Sequence, residues 1–292
     1  FHIILMMIAA TAMATAVKTS PLDFPIIPFT EGFTPLFGES NIFRSPDNLS
    51  VQIHLTQDTG SGFKSVEVYE YGFFSADIKL PAGYTAGIVV AFYMSNEESF
   101  KDNHDEVDFE FLGNIDGRMW KLQTNVYGNG SRLRGREERY NLWFDPSGDF
   151  HSYGIMWTPR RAVFYVDGVP IRVAEREEMG GGGDFPSKPM GIYATIWDAS
   201  SWVTSGGKHK ANYEYAPFVA KFSRLVLHGC AAVNLIEQLV EGPENVVDCG
   251  SGLDLVKIGS KDESKMKTFR SKYMFYFYCC DTLRYPEALP EC

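Results

Sequence analysis

The sequence predicts an all-β chain folded as an antiparallel β-sandwich. Three observations carry that expectation. Short apolar or alternating segments recur at even spacing, turn residues separate them, and no long amphipathic helix precedes residue 230. A chain of 292 residues, 45% hydrophobic and 22% charged, is ample for one large all-β domain or two small ones.

In order, Phe1 to Ala16 is an apolar run ending in small residues, with Ala12-Met-Ala14 and Ala14-Thr-Ala16 as candidate cleavage sites. We read residues 1–16 as a secretory signal, too short for a comfortable membrane span, so the mature form is expected to contact no membrane. Ser20 to Pro35 is interrupted by four prolines and is expected to wrap the surface irregularly. Val51 to Leu55, Ser65 to Tyr71 and Phe73 to Leu80 alternate as strands, with Gly60-Ser-Gly62 and Pro81-Ala-Gly83 as turns. Ile88 to Met94 is continuously apolar, as in a central strand. Further strands are expected at 120–127, 150–157, 162–166, 171–175, 190–197 and 220–227, with Asp167-Gly168 as a hairpin turn. The glycine run at 180–183 lacks a P-loop lysine and a following helix, so it reads as a loop.

Composition shifts after Cys230. Ala232 to Glu241 and Lys261 to Lys272 read as short helices, and aromatics crowd Tyr273 to Tyr278. Residues 17–230 are therefore expected to form the main domain. Residues 231–292 are expected to form an extension packed on it, because about sixty residues bury little core alone. All five cysteines lie in the last quarter of the chain, as staples would. The expected pairs are Cys230 with Cys249, and Cys279 or Cys280 with Cys292, each worth about 3 kcal/mol in the chain-entropy view. Asn48-Leu-Ser50 and Asn129-Gly-Ser131 are sequons that a secreted chain could glycosylate.

The chemistry concentrates in His104-Asp-Glu-Val-Asp-Phe-Glu-Phe-Leu-Gly-Asn114. In an extended strand Glu106, Asp108 and Glu110 share one face, while Val107, Phe109 and Phe111 share the other. Three carboxyls that close raise one another's pKa, so at least one tends to keep its proton. Glycoside hydrolysis needs that combination of one carboxylate and one carboxylic acid. The net charge of -10 argues against nucleic acid, and a neutral ligand fits best. With 14% aromatic residues, some rings are available for sugar faces. Gln123 and Asn125 alternate on what should be the neighbouring strand, offering amides to hydroxyls.

This acidic strand resembles the active-site signature of family 16 glycoside hydrolases, and specifically the plant xyloglucan endotransglucosylase/hydrolases. The resemblance continues through Gln123-Thr-Asn125, Arg136-Glu-Glu-Arg139, Leu142-Trp-Phe-Asp-Pro146, Ile196 to Gly207, Ala216-Pro-Phe218, Tyr278-Cys279, Arg284-Tyr-Pro286 and Pro290-Glu-Cys292. It implies a curved, concanavalin-like jelly roll with a concave substrate cleft and a small disulfide-stapled extension. It also implies a retaining double displacement, with Glu106 as nucleophile and Glu110 as general acid/base. Asp108 would hydrogen-bond the nucleophile and keep Glu106 ionised while Glu110 holds its proton. Spacing alone leaves inversion open. Four residues of strand separate the two Cα atoms by about 13 Å, whereas retaining carboxyls sit about 5 Å apart.

By the same resemblance His104, Gln123, Asn125, Gly135, Arg136, Glu137 and Arg139 are substrate contacts, Trp197 and Trp202 with Gly206 form an acceptor platform, and Arg270 reaches the acceptor side. Cys280 stands where an aromatic is usual, which makes Cys279 the partner of Cys292, and His228 replaces an expected Asp. The implied protein is a secreted monomer of the cell wall or apoplast that needs no metal or organic cofactor. It would transfer xyloglucan from a donor to an acceptor chain; a hydrolase on the same site and a non-catalytic lectin are the rival readings.

Overall fold

The structure, a computed structural model, describes residues 22, 24–232 and 258–292. Among these residues two antiparallel sheets stack face to face. The first has the order β1 (Phe33–Phe37), β4 (Ser61–Ser65), β13 (Gly191–Asp198), β6 (Ile88–Ser95), β7 (Glu106–Leu112), β8 (Lys121–Tyr127), β9 (Glu138–Asn141) and β15 (Met274–Phe277). The second has the order β12 (Val169–Glu175), β11 (Arg161–Val166), β10 (His151–Trp157), β5 (Tyr69–Lys79), β14 (Phe218–Ala231), β3 (Ser50–Leu55) and β2 (Ile42–Arg44). The all-β sandwich expectation holds.

Alternation places the apolar face of β7 inside. Phe109 meets Phe164 edge-on at 5.1 Å and Phe111 meets Tyr153 at 4.7 Å, so the acidic strand is anchored by rings from the opposite sheet. Val107, Phe109 and Phe111 are fully buried. The strand ends at Gly113, where a Cβ would come within 1.9 Å of the Thr85 carbonyl oxygen, so only glycine permits that approach. Asp167 and Gly168 both adopt positive φ and make the tight hairpin between β11 and β12, as expected.

Three local expectations are corrected. Gly60-Ser-Gly62 is not a turn: Gly62 lies in β4, and a Cβ on Gly60 would strike the Ile196 carbonyl at 2.2 Å, so these glycines serve close strand approach. Ser65 to Tyr71 is not one strand. β4 stops at Ser65, and β5 runs from Tyr69 through the expected 73–80 segment, with Tyr71 and Gly72 at positive φ. The proline-rich stretch is partly regular, giving a helical turn at Phe29–Gly32 and then β1.

In the extension, a helix spans Ser260–Tyr273 as expected, and the aromatic run becomes β15, which pairs with β9 and extends the first sheet. Cys279 bonds Cys292, and Cys280 is free and exposed. Cys249 and most of the expected helix at 232–241 lie outside the described residues. Buried ion pairs tie the extension down. Arg136 pairs with Asp184 and Glu291, and Glu138 pairs with both Arg172 and Arg270. No described helix is long and apolar enough to cross a membrane.

Candidate active site

The register across β7 builds the site. Glu106 faces Ser95 on β6 and Tyr127 on β8; Asp108 faces Tyr93 and Asn125; Glu110 faces Ala91 and Gln123. The Glu110 row continues outward through Thr195 on one side and Arg139 and Tyr276 on the other. Above the carboxyls lies a cavity of about 350 Å³ lined by Phe37, Tyr93, Glu97, Thr195, Trp197 and the three acids. Sheet alternation therefore brings Glu106, Asp108, Glu110, Gln123 and Asn125 to one face, as the spacing predicts.

Burial dominates the electrostatics. The Glu106 carboxyl is pushed up to about 7 by desolvation, partly offset by hydrogen bonds from Tyr127 and Ser95 and raised again by Glu110. Glu110 is likewise pushed up to about 7 by desolvation, offset by the Gln123 amide and raised by Glu137. Asp108 lies deepest, and burial with two acidic neighbours drives it well above the carboxylate range. The expected hydrogen bond from Asp108 to the nucleophile is not formed: its Oδ1 is buried without a hydrogen-bond partner, and Tyr127 and Ser95 serve Glu106 instead. Asp108 and Glu106 thus meet through charge repulsion, not through a hydrogen bond.

Two predictions follow from these shifts. Cleavage should show a bell-shaped pH profile whose alkaline limb falls through about 7 as Glu110 loses its proton. A rate still climbing at pH 9 would contradict the assignment. For stability, a carboxyl whose folded pKa exceeds its unfolded value binds its proton more tightly in the native state. That contribution is present below the unfolded pKa and is lost as pH rises through about 7. Above pH 7 the buried carboxylate costs up to roughly 3 kcal/mol. Glu110→Gln keeps an oxygen for Gln123, so it should melt several degrees higher than wild type at pH 8 and nearly equally at pH 4; calorimetry showing no difference at pH 8 would refute it.

His104 is buried, and its Nε2 lies 2.8 Å from the Tyr127 hydroxyl, so it supports Glu106 through Tyr127 and has no surface for a sugar. Tyr127 was missed from the sequence, although it continues the alternation of Gln123 and Asn125 by one more step. Tyr127→Phe should lower kcat by about tenfold or more while leaving KM nearly unchanged, because only the hydrogen bonding of Glu106 is altered. A change confined to KM would count against that role.

Gln123 links two groups: its amide nitrogen donates to Glu110, and its oxygen accepts from Arg139 Nε at 2.6 Å. Arg139 stacks 4.9 Å over Tyr276 and pairs with Glu137, which also holds Arg284 at 2.8 Å. Three expected contacts are corrected. Arg136 is fully buried and engaged by Asp184 and Glu291. Gly135 is buried, its carbonyl accepting the Tyr285 hydroxyl. Arg270 binds Glu138 and Tyr140, which alternate with Arg139 on β9 and so face the sandwich interior, away from the cleft. Glu137 acts as the counter-ion that orients Arg139.

Trp197 and Trp202 do not share one platform. Trp197 lines the cavity above the carboxyls. Trp202 and Gly206 line a second cavity of about 530 Å³ at the end of β7, with Asn114, Lys121, Arg139 and Phe275. The loop carrying them runs through positive φ at Thr204, Ser205, Gly206 and Gly207. A β-branched residue in that region is strained, and Thr204 is held there by donating to Gly113 O at 2.8 Å while accepting from Gly87 N at 2.9 Å. The loop is thus fixed to the end of the acidic strand.

Comparison with known proteins agrees with this geometry. The profile of glycosyl hydrolases family 16 matches residues 29–215, and that of the xyloglucan endo-transglycosylase C-terminus matches residues 250–292. The chain is 56% identical over 264 residues to a probable xyloglucan endotransglucosylase/hydrolase, protein 30, of Arabidopsis thaliana, covering 90% of this chain and 76% of that one. It is 54% identical to protein 27 of the same series, covering 92% and 80%. A Bacillus licheniformis beta-glucanase shares the fold with a TM-score of 0.55 at 24% identity, over 68% of this chain and 96% of that one. With the acidic strand, the cleft and the C-terminal strand all in place, the chain belongs to glycosyl hydrolase family 16, among the xyloglucan endotransglucosylase/hydrolases.

Proposed function

We propose that this protein cuts the β-1,4-glucan backbone of xyloglucan internally and passes the donor fragment to a second xyloglucan chain. The supporting observation is the row Glu106, Asp108, Glu110 on the cleft face of a central strand, where burial brings both glutamates to about 7 so that one proton is readily shared. In the first step a Glu106 oxygen bonds to the anomeric carbon, the glycosidic bond breaks, and its oxygen leaves with the proton from Glu110. In the second, Glu110 takes the proton of the acceptor 4-OH as that oxygen attacks the same carbon, and the Glu106 ester breaks. Two inversions restore the β-linkage.

The extended, grooved sheet and the Trp202 cavity favour a second chain as acceptor over water. Action on a wall polysaccharide goes with secretion to the cell wall, as a monomer with the 231–292 extension packed on the 17–230 domain. Asn129 is exposed and Asn48 half-buried, so the first is the better glycan site. Incubation with xyloglucan and a labelled xyloglucan oligosaccharide tests the reading: label gained by polymer is the expected result. Falling viscosity without label would make the protein a hydrolase, and binding without either would make it a lectin.

A further inference from the structure

The hydrogen-bond partners of Glu106 lead away from the cleft into the protein. Glu106 accepts from Tyr127 and from Ser95, its neighbours in register on β8 and β6. Ser95 Oγ accepts from the Glu97 backbone N–H at 3.2 Å. A backbone N–H can only donate, so the Ser95 hydroxyl keeps its own proton for Glu106. Behind Tyr127 stands His104, with Nε2 2.8 Å from the phenol oxygen and Nδ1 3.3 Å from the Lys101 carbonyl oxygen. His104 is only 2% exposed, so protein groups rather than bulk solvent decide where its protons sit.

Counting protons along this line leaves two arrangements. A carbonyl oxygen only accepts, so the contact with Lys101 puts a proton on His104 Nδ1. The Tyr127 phenol has one proton to give. If it goes to an ionised Glu106, the phenol oxygen must accept from behind, so Nε2 is protonated too and His104 is an imidazolium. If it goes to Nε2, the ring is neutral, and Glu106 must hold a proton and donate it to the phenol oxygen. Both arrangements contain the same number of protons. They differ by one proton moved from the carboxyl to the ring by way of the phenol.

We propose that Glu106, Tyr127 and His104 form a proton relay in which His104 stores the nucleophile's proton as an imidazolium and leaves Glu106 ionised for attack. The Glu106 O–H bond breaks as its proton passes to the Tyr127 oxygen, and the Tyr127 O–H bond breaks as its proton passes to His104 Nε2. No net charge enters or leaves the protein. The proposal rests on the reading above of Glu106 as nucleophile, and it makes His104 a positioning residue that never touches sugar. It also meets a difficulty that burial creates. A desolvated carboxyl beside Glu110 resists ionisation, and a cation behind Tyr127 offsets that resistance. The other charges around the relay do not replace this cation. Lys101 and Asp102 are exposed on the preceding loop, Asp105 is held by Lys188 at 2.5 Å, Arg132 acts on Tyr127 from an exposed turn, and Glu97 adds negative charge near Glu106.

Nitrogen NMR of the full-length protein with isotope-labelled histidine reads the proton directly, the His104 ring being identified through its backbone neighbours Asn103 and Asp105. Wild type at about pH 6 should show protons on both ring nitrogens, and Glu106→Gln, which offers no negative charge to pair with the ring, on Nδ1 alone. Cleavage of xyloglucan gives the second readout. His104→Gln keeps a donor for Tyr127 but carries no charge, so the acidic limb of kcat/KM should move up by about one pH unit, a loss of about tenfold on that limb. Tyr127→Phe should move the same limb, and the double variant should move it no further. A neutral His104 in wild type, an imidazolium that persists in Glu106→Gln, or an acidic limb unmoved in His104→Gln overturns the relay. The two spectra decide the matter even where His104→Gln fails to fold. They need no turnover, so a neutral ring refutes the relay alone, whereas a wild type that cleaves no xyloglucan refutes the reaction above and the relay's role in it.

Discussion

Glu106→Ala should lower backbone cleavage by at least about four orders of magnitude while xyloglucan still binds, because the nucleophile contributes to the reaction and little to ground-state contact. The geometry adds a specific rescue. With the side chain shortened, azide can enter the space beneath the anomeric carbon, from the face Glu106 occupied. Glu110 remains to protonate the departing oxygen, so azide attack gives a glycosyl azide inverted at that carbon. Recovery of cleavage with azide, and an α-configured azide product, is the expected result. Cleavage at near wild-type rate without azide would remove Glu106 from the mechanism, and a β-azide would place the attack on the wrong face.

A comparably large effect on stability is expected away from the chemistry. Glu138 is buried and holds Arg270 from the extension, Arg172 from β12 and the Tyr140 hydroxyl together. Arg172 in turn crosses the sandwich to donate to Thr124 O at 3.0 Å and Arg136 O at 2.6 Å. Glu138→Ala leaves two guanidinium groups without this carboxylate, one of them fully buried, a change that costs about 3–5 kcal/mol. For a chain of this size the melting temperature should fall by about 10 °C. Glu138→Gln, which keeps the hydrogen-bonding shape but not the charge, should fall less. A Glu138→Ala protein melting within a degree of wild type would show that the network is not what holds the extension to the sheet.

How far the sequence reaches depends on whether a residue's role is set along the strand or across it. The carboxyl row was readable because period-2 alternation fixes which side chains share a face, and the same rule placed Gln123 and Asn125. Tyr127 obeys the same rule one step further along β8. Arg136 and Arg270 were misplaced for another reason. A motif match supplies a position but not the direction in which its side chain points, and both arginines, Arg136 in irregular backbone and Arg270 on the Ser260–Tyr273 helix, turn toward partners, Glu291 and Glu138, more than 130 residues away in sequence. The glycines at 60 and 62 read as a turn because their composition is that of a turn, whereas their neighbours on β13 determine their use. The second cavity was hidden too, since Asn114, Lys121, Trp202 and Phe275 are far apart in sequence and meet only in the folded chain.

The central claim is that a glycosyl ester forms on Glu106. The most direct measurement is rapid acid quenching during turnover of xyloglucan, followed by proteolysis and mass mapping of the peptide that contains His104 to Asn114. This peptide should gain the donor fragment's mass at Glu106, and acceptor oligosaccharide should discharge it. Turnover with no covalent adduct on this peptide, or with the adduct on Asp108 or Glu110, would contradict it.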